Sequence, residues 1–242
     1  MNPGRFIRTN RYIPLIIFAT AMGFLEAIVV VYLRELYYPD GFEFPLIKMP
    51  GRLVVVELIR ELTTLLMLGS VAWISGNIFL KRLSVFLFLF GIWDITYYVA
   101  LEIFLDWPES LLTWDLLFLI PITWVGPVLA PVICSVFMII MAFTFDYLLE
   151  NKQLKKLNFK ELALLFGGAA VIYFTFTVDF GMIILRGNFL SKLSTLPENP
   201  EFTRILTTWE PTRFNWGIFV IGLAIICIGF ILIIKRGYQD TR

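Results

Sequence analysis

Residues 56–64 read VELIRELTT, and they stand inside the apolar run RLVVVELIRELTTLLMLGSVAWI, residues 52–74. A membrane-crossing helix needs about 20 mostly apolar residues at 1.5 Å each, and this run supplies them. Glu57, Arg60 and Glu61 interrupt it. At about 100° per residue, Glu57, Arg60, Glu61 and Thr64 fall within one stripe of a helix, so the remaining surface can meet lipid. A charge facing lipid at mid-membrane costs about 2.5–3.5 kcal/mol on insertion scales, so the stripe is expected to turn inward.

The whole chain supports a membrane setting. Of its 242 residues, 59% are aliphatic or aromatic and 16% are charged, with mean hydropathy +0.81. A soluble domain carries about 25% charged residues. The net charge is +1 with no basic block, which argues against nucleic acid as a partner. There is no histidine, so the commonest general base and the commonest zinc and haem ligands are missing. No phosphate loop, nucleophile elbow or paired CxxC is present, and neither a metal nor a cofactor is expected. Cys134 and Cys227 fall in apolar runs assigned to opposite leaflets, which disfavours a disulfide.

The expected fold is an all-α integral membrane protein forming a single polytopic domain over residues 1–242. Six transmembrane helices are read near residues 12–33, 53–75, 83–105, 128–149, 162–185 and 214–234. Residues 110–127, SLLTWDLLFLIPITWVGP, are read as a re-entrant or interfacial hairpin between the third and fourth helices. Asp115 and Pro121 weigh against a full span there. Charge also decides the matter. Six spans put Arg5, Arg8, Arg11, Lys81, Arg82, Lys152, Lys155, Lys156, Lys160, Lys235, Arg236 and Arg242 on the inner side of a cell membrane, with both termini inside. The apolar run through Leu33 makes an uncleaved first helix preferable to a signal peptide. Asp146 lies near enough to the inner end to meet the Lys152–Lys156 cluster. Near residue 200, Asn199 can cap a short interfacial helix with Pro200 in its first position. Gly167, Gly168, Gly222 and Gly229 are read as helix-packing positions.

Counting from the outer ends, Glu26, Arg60, Glu61 and Asp179 lie roughly 10–14 Å deep, and Asp94, counted from the inner end, reaches the same level. On the third helix Asp94, Tyr98 and Glu102 follow at i, i+4 and i+8, with Tyr97 adjacent. Glu26, Glu57, Glu61, Asp94 and Asp179 outnumber the one embedded base, Arg60, and like charges at low dielectric cannot all stay ionised. The candidate polar cavity is therefore lined by Glu26, Glu57, Arg60, Glu61, Asp94, Tyr97, Tyr98, Glu102 and Asp179. Arg60 is expected to bond a carboxylate from another helix.

Three functions fit this pattern. A small transporter or permease comes first, its carboxylates binding a cation or proton and Arg60 meeting an anionic substrate group. An enzyme acting on a lipid or lipid-linked substrate from the outer leaflet is the alternative, with Asp94 or Glu61 as general base assisted by Tyr97 or Tyr98. A non-catalytic subunit of a homo- or hetero-oligomeric membrane complex is the third. The inner half of the spans carries few polar groups, which weakens transport and strengthens the lipid reading.

Overall fold

The computed structural model describes residues 3–151, 154, 156–190, 196 and 198–239, with side chains from Tyr12 onward. Lys152, Lys155 and Arg242, and the side chains of Arg5, Arg8 and Arg11, fall outside the described residues. Six long helices run α1 (Pro3–Tyr37), α2 (Gly51–Ile74), α3 (Phe79–Leu105), α4 (Leu129–Asn151), α5 (Phe159–Arg186) and α7 (Trp216–Gln239). The short α6 (Pro200–Leu206) lies between the last two. Five of the long helices are long and apolar enough to cross a membrane: α1 from Tyr12, α3, α4, α5 and α7. The chain is a membrane-embedded helical protein. Helix α2 has the length, 24 residues, but Glu57, Arg60 and Glu61 dilute its hydropathy.

The burial of α2 is inverted relative to a helix in water. Its buried residues are Glu57, Glu61, Thr64, Leu68 and Ala72, one continuous stripe. Val55, Val56, Ile59, Leu62 and Leu66 are exposed. Such a helix would be unstable in water and suits a hydrocarbon surround, where apolar side chains lose nothing by facing outward.

Residues 114–127 depart from an all-helical reading. Strands β1 (Trp114–Phe118) and β2 (Trp124–Pro127) pair antiparallel, with Asp115 opposite Gly126 and a register shift between Leu116 and Phe118. Pro121 lies in the connection and withholds a backbone N–H, which suits a turn better than a helix interior. The chain therefore reverses direction between the two strands. What the sequence left open was that the reversal is a sheet.

Packing follows an arc. Helices α1 and α2 lie against α3, α3 against α4, α4 against α7 and α7 against α5, while β2 contacts α5. The α5–α7 seam depends on small residues. A Cβ at Gly168 would come within 2.7 Å of the Gly222 carbonyl oxygen and 2.9 Å of the Ile226 nitrogen, both fixed backbone atoms. At the far end of the same seam, Arg236 grips Glu161 with two bonds of 2.7 Å and donates to the Lys156 carbonyl at 2.7 Å. Glu161 also closes a capping box with Asn158 at the start of α5.

Asp146 accepts from Lys81, Tyr12 and Ser84, the last at 3.0 Å, joining α4 to α3 and α1. The face of α4 carrying Ala142, Phe145 and Asp146 is buried, so the carboxylate points into the bundle; of the Lys152–Lys156 cluster it was expected to meet, Lys152 and Lys155 lie outside the described residues. Asn199 caps α6 by accepting from the Glu201 and Phe202 amides at 3.0 and 3.2 Å, and Pro200 opens the helix.

The seam makes a paired prediction. Gly168→Ala forces backbone apart and should destabilise the protein by about 1–3 kcal/mol. Gly167→Ala meets nothing within 4 Å and should be neutral or stabilising by up to about 1 kcal/mol through helix propensity. Thermal melts of the two variants in one detergent check this, and equal melting temperatures would refute the close-contact account.

Candidate functional site

Along α2, i to i+4 spacing puts Glu57, Glu61 and Thr64 on the face turned toward α1 and α3, with Arg60 between them. The Arg60 Nε bonds Glu57 at 2.7 Å within the helix. Its Nη1 reaches Glu26 of α1, a carboxylate from a different helix. The Thr64 hydroxyl lies 3.2 Å from the second Glu26 oxygen and 3.1 Å from the Arg60 carbonyl. Glu61 is 4.0 Å from Arg60, and its carboxylate accepts the Leu119 backbone N–H at 2.9–3.0 Å. One acid of VELIRELTT thus holds the tip of the β-hairpin.

Across the site, Asp94 of α3 accepts from Ser135 of α4 at 2.7 Å. The two helices approach closely here because Gly91 has no Cβ, which would sit 2.7 Å from the Ser135 carbonyl oxygen. Asp115 on β1 receives Tyr98 Oη at 3.2 Å, Arg34 Nη2 at 3.2 Å and the Leu116 N–H at 2.9 Å. Burial pushes the Asp115 carboxyl up, to about 6, against the opposing pull of Arg34 and the Leu116 amide. The Arg34 guanidinium also lies over Trp107, 3.7 Å from the ring centroid, and 4.6 Å from that of Phe42.

These groups border one cavity of about 770 Å³, within the roughly 300–1,000 Å³ of small-molecule sites. Glu26, Glu57, Arg60, Glu61, Asp94, Tyr97 and Tyr98 all line it. Glu102 and Asp179 do not: both are exposed and lie off its wall. Helical rotation accounts for each. Eight residues turn Glu102 about 80° from Asp94. Asp179 sits about a quarter turn from the line through Phe176 and Phe180, its nearest neighbours on α5 that line the cavity.

The cavity is polar at one end only. Away from the acids its walls are Leu83, Leu87 and Phe90 of α3, Phe137, Met138 and Met141 of α4, and Leu162, Leu165 and Ala169 of α5. From Leu83 to Tyr98 is fifteen residues, roughly 22 Å of helical rise. Lys48 and Met49 from the α1–α2 loop and Phe202 and Thr203 from α6 border the cavity as well. Arg34, Asp115, Trp93 and Ser135 also belong to the wall, and sequence reading did not propose them as site residues. Asp115 served there only as an obstacle to a span. The one available signal was that Asp115 stands as the single acid in residues 110–127. Among the described residues, no three acids or cysteines converge in a way that would hold a metal ion.

The chain matches no protein-family model, no curated protein and no solved structure. Its class, a membrane-embedded helical protein with a one-ended polar cavity, therefore rests on the fold and the site alone.

Arg60→Ala should destabilise the protein, because Glu26 and Glu57 lose the guanidinium between them. The penalty for stranding a buried charge is about 3–5 kcal/mol when the site is dry, and less here because Arg60 keeps 20% of its side chain exposed. Adding Glu26→Gln should recover part of the loss. Melts of the single and double variants measure the coupling, and strict additivity would show that the α1–α2 ion pair contributes nothing.

Proposed function

We propose that this protein handles an amphiphile, a lipid or lipid-linked molecule taken up from the outer leaflet of the cell membrane. One observation carries the reading: a single elongated cavity has acids, arginines and tyrosines at one end and hydrocarbon walls for the rest of its length. A polar head and an apolar tail match those two regions in order. A permease for a small polar solute needs polar groups along its whole route, and the far part of this cavity offers Leu83, Leu87, Met141 and Leu165 instead. Where chemistry follows binding, Asp94 is the better general base, because Glu61 is committed to the hairpin amide.

In this reading all six long helices cross the bilayer, both termini face inside, and the hairpin enters the outer leaflet and returns. The inverted face of α2 supports its inclusion as a sixth span, since its charges are turned away from the surround. The positive-inside bias supports the orientation.

Two measurements test these proposals. In a protein whose native cysteines are replaced, Glu109→Cys should label from outside intact cells and Lys156→Cys only after permeabilisation. Rapid outside labelling at position 156 would overturn the topology. Native mass spectrometry of protein extracted in mild detergent should show one retained amphiphile per chain. Ala169→Trp, which fills the apolar cleft far from every acid, should abolish that retention while the fold survives by circular dichroism. If the filled variant retains the amphiphile as the parent does, the tail is not in the cleft and the reading fails.

A further inference from the structure

Among the described residues, two buried side-chain atoms lack a hydrogen-bond partner, Arg34 Nη1 and Trp93 Nε1. Both residues line the cavity, and both are nine-tenths buried or more, at 6% and 5% exposure. Both atoms are donors. An unpaired buried donor costs about 1–3 kcal/mol, more when charged, so each position calls for an acceptor. Arg34 is anchored on its other side. Asp115 takes Nη2, and the rings of Trp107 and Phe42 cover the guanidinium.

The two donors differ in charge and in depth. Tyr98 shares Asp115 with Arg34 and stands five residues above Trp93, roughly 7.5 Å along α3. A single oxyanion does not span that distance. A guanidinium at the upper level selects an oxyanion, for which it is the best-matched side chain. A neutral indole N–H at the lower level selects a neutral acceptor such as an ester carbonyl. Below Trp93 on the same helix come Phe90, Leu87 and Leu83, a hydrocarbon wall. The order along the cavity is thus anion, neutral acceptor, alkyl chain.

A purely anionic head leaves one imbalance. Glu26, Glu57 and Glu61 surround Arg60, three carboxylates on one guanidinium, and a cation is the natural relief. Tyr97 lies within electrostatic reach of Arg34 and Asp115 on one side and of Glu26 and Arg60 on the other. A head bridging Tyr97 can therefore satisfy both groups.

We propose that the cavity binds a zwitterionic glycerophospholipid bearing a primary ammonium. Its phosphodiester sits at Arg34, an ester carbonyl at Trp93 Nε1, the ammonium faces Glu26 and Glu57, and one acyl chain lies along α3 and α4. This rests on the amphiphile reading above and specifies its head.

The test compares delipidated protein titrated, by native mass spectrometry, with phosphatidylethanolamine, phosphatidylglycerol and diacylglycerol of identical chains, and with water-soluble glycerophosphoethanolamine. Phosphatidylethanolamine should bind at least about tenfold more tightly than the other three, the worth of one charge-assisted hydrogen bond. Arg34→Gln should reduce its advantage over diacylglycerol, leaving the share that the ammonium contributes. Trp93→Phe keeps the ring and its packing, and should weaken all three ester lipids alike by a few-fold. Arg34→Gln strands Asp115 and can unfold the chain, so Trp93→Phe and the lipid series decide by themselves. Equal binding of phosphatidylethanolamine and diacylglycerol would overturn the head assignment and leave the amphiphile reading standing. Binding of phosphatidylglycerol as tight as phosphatidylethanolamine would overturn the ammonium subsite. Glycerophosphoethanolamine binding as tightly as the full lipid would show a soluble phosphoester site and overturn the lipid source. Absence of binding by every lipid would overturn both proposals.

Discussion

The ion pair of Arg60 with Glu26 and Glu57 is the constraint from which the arrangement of the first three helices follows. A largely buried guanidinium in an otherwise apolar helix is stabilised by carboxylates within the protein. Glu57 comes from its own helix and Glu26 from α1. Meeting both fixes the rotation of α2 about its axis, and that rotation turns Val55, Val56, Ile59 and Leu62 outward. The same rotation carries Glu61 to the hairpin.

The hairpin then becomes the element that joins the two ends of the arc. Glu61 holds its tip, while Arg34 and Tyr98 hold Asp115 on β1. On its other flank Trp124 stacks on Phe176 of α5, with centroids 5.9 Å apart, and Gly126 leaves room for the Phe176 and Phe214 rings. A short sheet serves this purpose where a helix would not. It brings Asp115 to Arg34 while Leu116, Leu117 and Phe118 border the cavity, and its own ladder satisfies the backbone groups that an irregular loop would leave bare.

Charge is distributed differently at the two ends of the bundle. At the end opposite the cavity acids, Asp146 meets Lys81 and Glu161 meets Arg236, one base to each acid among the described residues. These pairs stitch α1, α3 and α4 together and close α5 on α7. Around the cavity, Glu26, Glu57, Glu61, Asp94 and Asp115 face Arg34 and Arg60. The balanced pairs account for themselves as packing devices. The unbalanced group, set beside unpaired donors on Arg34 and Trp93, is where a ligand has something to contribute.

Local chemistry made part of this legible from sequence. The stripe Glu57–Arg60–Glu61–Thr64 follows from helical periodicity, and its inward turn follows from the cost of charge in lipid. Asn199 and Pro200 specify the start of α6 without reference to any other element, and Gly168 and Gly222 mark a close seam by lacking a Cβ. The reversal at residues 110–127 was readable from Asp115, Pro121 and the charge balance. Tertiary structure decided which groups meet. Periodicity gives an azimuth relative to a residue's own helix and says nothing about how that helix is turned against its neighbours, so it could not show that Glu102 and Asp179 lie off the cavity wall. Asp146 found Lys81, 65 residues away in sequence, across the bundle. The pairing of Arg34 with Asp115 joins residues 81 apart, and no local pattern encodes it. It exists because a twisted two-stranded sheet, itself invisible to helical reasoning, carries Asp115 back to the end of α1.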